Sequence, residues 1–296
     1  MPASTRRQLI AVRCRYTGET HAEAAPGVGR DGTIGLDRCT PGQRRLRALL
    51  ALHLLNCRPR RRSRLPAREI HHRSVWWSLN TLDVISAHYD QLVLRSSNPE
   101  VLMWPLSAWN TTYEIGLPGL RLMSRDSQGR YHLLHGPTGA VVRVDHRPPG
   151  RTGRDAEIVE RLRGFHRIVG GHPELDESEQ WLLGALPPVS GDAEQLLAAL
   201  LVRLTSAHPE GRWAMDKVGF RDLACRADSW CSLWGHGDHW RLRWMSAVPS
   251  MVVGEALTDP VFGLAGAELA PLRPGFVVHY RQATLRLRGP EGRVWG

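Results

Sequence analysis

Cys225, Cys231, His236 and His239 fall within the stretch CRADSWCSLWGHGDH, and thiolate and imidazole are the ligands that zinc prefers. Two of each would complete a tetrahedral site, structural if closed and suited to zinc-assisted hydrolysis if one position stays open. The spacing, Cys-x5-Cys-x4-His-x2-His, departs from zinc knuckles, whose cysteines sit about two to four residues apart so that one tight turn aims both sulfurs inward. On a continuous helix, cysteines six residues apart point about 240° away from each other. Both can bind one ion only if the chain turns within RADSW (226–230), where Asp228-Ser229 can start a turn. A metal-free version would use Cys231 as nucleophile, His236 or His239 as base and Asp238 to orient it. No nucleophile motif surrounds Cys231, and adjacent Asp238 and His239 are badly arranged to pair. The plain alternative makes both cysteines small buried hydrophobes.

The same region holds Trp230, Trp234, Trp240 and Trp244, with Arg226, Arg241 and Arg243 between them. In a strand through 240–245, Trp240, Leu242 and Trp244 share one face while Arg241 and Arg243 share the other. That alternation predicts an ordinary half-buried strand with the tryptophans inward. A platform for stacked bases would need exposed tryptophans beside the arginines. No cofactor other than zinc is suggested: no Gly-rich phosphate loop occurs, and the sole lysine, Lys217, lacks that context.

Charge carries the strongest global signal. Residues 1–75 hold 16 arginines against 5 acidic residues, a net of +11, while residues 76–296 hold 23 basic and 24 acidic residues, a net of −1. A GC-rich genome, expected to be bacterial, explains arginine in place of lysine throughout, but it would spread arginine evenly. The asymmetry therefore predicts an anionic partner for the first quarter. Arg58, Arg60, Arg61, Arg62, Arg64 and Arg68 lie within RPRRRSRLPAR (58–68), and Arg44, Arg45 and Arg47 precede them on a helix. Guanidinium groups can engage phosphate oxygens bidentately.

The elements that must position these residues follow from periodicity. Residues 1–39 read as a basic arm with a short helix over Arg6–Arg15. Thr40, Pro41 and Gln43 open the next helix with a capping box, and Arg58-Pro59 ends it. SVWWSLNTLDVISAHYDQLVL (74–94) reads as a helix. Residues 120–145 read as a three-stranded antiparallel meander, with DSQG and GPTG as turns. Helices follow over 154–168, 177–186 and 191–207, and Asp176 and Glu179 suit the start of the middle one. WRLRWM and FVVHYRQATLRLR alternate with period two and read as strands. No repeat period is visible.

The expected fold is α+β: a basic N-terminal arm and helix, an antiparallel meander, a helical segment and C-terminal strands. The expected division puts an arm, helix and Arg-rich linker in 1–70 and a body in 71–296, itself divisible near 146–154. With five scattered cysteines, no secretory leader and no apolar run long enough to span a bilayer, the expected setting is a reducing cytoplasm. The leading functional expectation is nucleic-acid binding through arginine–phosphate contacts of the N-terminal quarter. The alternatives are a zinc-assisted hydrolase at the 225–239 cluster and an interaction module whose arm docks an acidic protein.

Overall fold

The structure is a computed structural model and describes residues 3–56, 81–109, 116–146, 166–167, 174–208, 211–212, 231–244 and 248–289. It is an α+β fold built twice from one pattern. The first unit runs through helix α3 (Pro41–Leu54), hairpin β1 (Leu82–Ala87) and β2 (Gln91–Ser96), helix α4 (Pro99–Ser107) and meander β3 (Leu120–Arg125), β4 (Tyr131–His135) and β5 (Ala140–His146). Helix α5 (Glu177–Gly184) follows. The second unit then repeats the order with α6 (Gly191–Val202), β6 (Cys231–His236), β7 (His239–Trp244), α7 (Ser250–Thr258), β8 (Ala267–Pro271), β9 (Phe276–Tyr280) and β10 (Ala283–Arg288).

The two sheets have one topology. Their strand orders are β1-β2-β5-β4-β3 and β6-β7-β10-β9-β8. In each, the second hairpin strand pairs in parallel with the last meander strand, and every other pairing is antiparallel. The register makes residues equivalent in pairs: Leu92 with Trp240, His135 with Tyr280, Ala140 with Ala283, and Val142 with Leu285. Helices α3 and α6 pack against each other. Leu46, Leu50 and Leu54 of one and Leu196, Leu200 and Leu204 beside or on the other join the strands' inner faces in one core.

Each long helix is tied to its own hairpin. Thr40 Oγ1 accepts from Gln43 N at 3.1 Å while Thr40 N donates to Tyr89 O at 2.9 Å. Ser190 Oγ accepts from Ala193 N at 3.1 Å while Ser190 N donates to Gly237 O at 3.3 Å. The side chain of Gln43 does not complete the expected capping box. It is buried and donates instead to Asp90 O and Val141 O, because those carbonyls lie within reach inside the body.

The meander, α5, α6 and the C-terminal strands match the expected elements. The segment 74–94 does not. From residue 82 onward it is the hairpin β1–β2, with residues 57–80 outside the description. Every residue of β1 is buried, so its apolar residues run on without period-two alternation, and such a run looks alike in a covered strand and a buried helix. The helix expected over 154–168 lies outside the described residues except for 166–167, which pair with Ala108–Trp109 as a two-residue ladder.

The N-terminal segment expected as an arm is packed between the two units. Arg13 of α1 (Ala3–Thr17) is fully buried; it donates to Glu19 through Nε and Nη2 at 2.6 and 2.9 Å and to Ala87 O at 2.7 Å. Tyr16 stacks on Phe262 with ring centroids 4.7 Å apart. Asp37 accepts both terminal nitrogens of the buried Arg203 at 2.7 Å. Ile34 and Leu36 belong to the same core as α3 and α6. Among the described residues no helix is long and apolar enough to cross a membrane.

Candidate nucleic-acid interface

Strand pairing separates the residues expected to share a zinc ion. Cys231 begins β6, is 1% exposed and faces Trp244, whereas His236 ends β6 and faces His239. Five steps of extended chain put the thiol about 16 Å from the histidines, against metal–ligand bonds of about 2.0–2.3 Å. Cys225 lies outside the described residues. Cys231 therefore cannot share one ion with His236 and His239, and it is equally out of reach of them as catalytic bases. Asp238 is held by the Ser190 hydroxyl in a close hydrogen bond, and His239 Nδ1 lies 3.1 Å from Thr284 Oγ1. Among the described residues no group of three or more His, Cys, Asp or Glu side chains is arranged to hold a metal ion.

The N-terminal arginines fare unevenly. Arg47 is 1% exposed and donates to Leu36 O and His88 O, so it has no face for a phosphate. Arg44 and Arg45 are half-exposed and share one carboxylate, Glu194, at 3.0 and 3.5 Å. Arg58, Arg60, Arg61, Arg62, Arg64 and Arg68 lie outside the described residues.

A second group of arginines, on the outer face of the second sheet, meets the requirement better. The core residues Trp240, Leu242 and Trp244 point inward from β7, as their alternation predicts, and are 2–3% exposed. Arg241 and Arg243 consequently point outward. The parallel pairing sets Arg241 beside Arg286 and Arg243 beside Arg288. Neighbouring strands are about 4.8 Å apart, and same-face residues on one strand about 6.6 Å apart, so four guanidinium groups start from one small rectangle. Arg241, Arg286 and Arg288 are exposed and Arg243 is half-buried. Trp234, half-buried, faces Arg241 across the ladder, and His236, His239 and His279 are exposed on the same side. The one carboxylate that the register brings to this face is Glu268, opposite His279 on the edge strand. Among the described residues no acidic side chain is within 4.0 Å of Arg241, Arg286 or Arg288.

The first unit serves as a control built into the chain. Its matching positions are Val93, Arg95, Arg143 and Asp145. Arg143 binds Asp145 through Nε and Nη2 at 2.7 and 2.9 Å, and Arg95 pairs closely with Glu23 of α2 (His21–Ala24). Val93 is covered at 1% exposure. One sheet thus neutralises and buries this face; the other puts arginine where the first has Val93 and Asp145.

The connectors between long helix and hairpin allow the same comparison in sequence. Residues 55–81 hold seven arginines and one glutamate, a net of +6, while residues 203–230 hold five basic and four acidic residues, a net of +1. The fold and the codon usage are common to both, so neither explains the difference.

Arg286 and Arg288 had a visible signal, since TLRLR alternates as WRLRW does. Their adjacency to Arg241 and Arg243 had none, because it depends on which strand β10 chooses as a parallel neighbour. No family model, curated protein or solved structure matches the chain.

Proposed function

We propose that this protein binds single-stranded nucleic acid across the outer face of its second sheet, with Arg241, Arg243, Arg286 and Arg288 taking phosphates. The observation that carries the reading is the outward block of four arginines, of which Arg241, Arg286 and Arg288 have no described carboxylate within ion-pair distance, at positions where the sister sheet has Val93, Arg95, Arg143 and Asp145. Guanidinium groups bind phosphate oxygens in pairs of parallel hydrogen bonds. Trp234 and the exposed histidines supply ring faces on which unpaired bases can stack, a contact worth about 1–3 kcal/mol per base. The Arg58–Arg68 run, on the connector with a net charge of +6, is a second, sequence-independent source of phosphate contacts. This reading retains the partner class expected from composition and moves its centre from the N-terminal quarter, with Arg44, Arg45, Arg47 and the Arg58–Arg68 run, to the C-terminal sheet.

The test is a salt titration of binding to a labelled oligonucleotide, single-stranded and duplex. Four phosphate contacts from the sheet alone predict a log–log slope near −2.8 on a single strand, and additional contacts from 58–68 make it steeper. Replacing all four sheet arginines by glutamine should flatten the slope by about 2.8. An acidic protein offers carboxylates without bases, so Trp234→Leu separates the readings: it should weaken oligonucleotide binding at every salt concentration. Absence of measurable affinity at low salt, or a quadruple variant that binds like the parent, overturns the proposal.

A further inference from the structure

The outer face of the second sheet is sorted across its strands as well as along them. One row runs from Arg286 on β10 through Val277 on β9 to Ala270 on β8. The next row, nearer the β9–β10 turn, runs through Thr284, His279 and Glu268 on the same strands. Val277 is 8% exposed and Ala270 half-buried, so two short apolar side chains form a floor beside the arginines. His279 and Glu268 are exposed and stand one same-face step away, about 6.6 Å along their strands. A planar ring laid flat on the floor therefore meets their side chains edge-on.

Glu268 and His279 are direct partners in the β8–β9 ladder, with Cβ atoms about 5 Å apart. Among the described residues neither side chain makes an ion pair or a hydrogen bond. A carboxylate placed to neutralise the arginines would bond to one of them, as Asp145 bonds to Arg143 in the first sheet. Glu268 is instead two strands and one step from Arg286, a Cα separation of about 12 Å. Cations and carboxylate thus share one face and stay apart.

We infer that the Glu268–His279 pair reads guanine in the bound strand, which rests on the arginine face binding single-stranded nucleic acid. The pairing edge of guanine presents one acceptor, O6, and then two donors, N1–H and N2–H. A carboxylate accepts both donors side by side, and the imidazole N–H of His279 donates to O6. Thymine and uracil offer one donor between two acceptors, and so set an oxygen against the carboxylate. Adenine and cytosine bring one amino donor beside an acceptor that a carboxylate repels. This edge is free for reading only in an unpaired base. His279 acts here through its ring N–H, which leaves stacking to Trp234 on the far side of Arg241.

The experiment measures binding of the full chain to a short oligothymidylate and to the same oligomer with one central guanine, inosine or adenine. The guanine oligomer should bind about tenfold tighter than oligothymidylate, as one good bidentate base contact provides. Inosine lacks the N2 amino group and should lose most of that gain. Glu268→Gln turns one acceptor into a donor, so the guanine preference should vanish and adenine, which an amide pairs bidentately, should bind best. Removal of the negative charge should strengthen all four oligomers slightly, and the order of the bases is the readout. The plain role of Glu268 is to guard an edge strand against aggregation; that role predicts aggregation in Glu268→Gln with no change of order, which overturns the inference. Equal binding of the guanine and thymine oligomers, both weakened when the four sheet arginines become glutamine, leaves the phosphate contacts standing and overturns guanine reading alone. No binding of any oligomer at low salt overturns both. Free GMP that binds as tightly as the guanine oligomer makes the pair a nucleotide site and overturns its role on a strand.

Discussion

Arg241 and Arg286 are direct neighbours across the parallel pair β7–β10, and no described carboxylate lies within ion-pair distance of either. At the matching point of the first sheet Val93 stands beside Arg143, which is satisfied by Asp145. Like charges facing each other in a ladder are unfavourable, so the folding of the second sheet gains nothing from this pair. A stability cost at an exposed site, absent from the sister sheet, is what a binding surface tolerates and a scaffold does not.

The double variant Arg241→Gln, Arg286→Gln should therefore uncouple binding from stability. Its unfolding free energy should equal or exceed that of the parent by up to about 0.5 kcal/mol, as for exposed substitutions that relieve repulsion. Its salt slope on single-stranded oligonucleotide should become shallower by about 1.4, two contacts at about 0.7 each. Urea titration and fluorescence anisotropy measure the two quantities on one preparation. A large loss of stability would make the pair structural.

The paired helix caps give a test of the duplicated architecture. Thr40→Ala removes one capping acceptor and should cost about 1 kcal/mol. Ser190→Ala removes the equivalent cap and also the hydroxyl bonded to Asp238, so about 2 kcal/mol is expected. Both losses should appear as shifted urea midpoints with an unchanged slope. If Ser190→Ala proves the milder change, Asp238 does not anchor the second hairpin to α6.

Much of this fold was legible in local pattern, and what was not legible depends on long-range pairing. Thr40 and Asp176 start helices as their side chains predict, and the turns at 126–129 and 136–139 delimit the meander. The duplication left little trace in sequence because equivalent positions share burial rather than identity: Leu92 answers to Trp240, His135 to Tyr280, Val142 to Leu285. Cores accept such exchanges when volume and polarity pattern are kept. The zinc cluster misled for a related reason, since spacing alone did not reveal that Cys231 and His236 occupy opposite ends of one strand. The arginine face was half visible: alternation put Arg241 and Arg243 outward, and only the parallel pairing supplied Arg286 and Arg288.

The clasp made by α1 rests on a buried ion pair. Glu19→Ala leaves the fully buried Arg13 guanidinium without its carboxylate, a loss expected to cost about 3–5 kcal/mol. The double replacement Arg13→Met, Glu19→Leu should recover part of that, because no charge is then stranded. It should not recover all of it, since Ala87 O and Ile34 O lose their donor, at about 1–3 kcal/mol for a buried unsatisfied group. Denaturant unfolding of the two variants distinguishes the cases. A double variant weaker than Glu19→Ala would mean that the carbonyl contacts, rather than the ion pair, hold the segment.

His135 should make stability depend on pH in a window that opens at the ordinary imidazole value, as should the half-buried His88, whose pKa burial also lowers. It is fully buried, its Nε2 donates to Pro118 O at 3.1 Å and its Nδ1 accepts from the Thr138 hydroxyl at 2.8 Å. Burial lowers its pKa from 6.5 to about 4, so the folded protein holds the neutral ring. On acidification the unfolded chain takes the proton first. Between 6.5 and about 4 the unfolded state binds more protons, and stability falls as pH falls through that interval. The full effect is up to about 3 kcal/mol, with no further loss from this group at lower pH. The neighbouring Glu179 acts in another window. Burial raises its pKa, but hydrogen bonds from Arg121, Gly119 N and Asp176 N outweigh that and the net shift is downward. Its contribution is present above the ordinary carboxylate value and is lost below it. Urea midpoints between pH 7 and pH 4 should therefore decline in the parent and decline less in His135→Gln, where His88 still contributes, while both proteins lose stability together below that range. A parent whose midpoint stays level from pH 7 to pH 5 would mean that His135 is not held neutral by the fold.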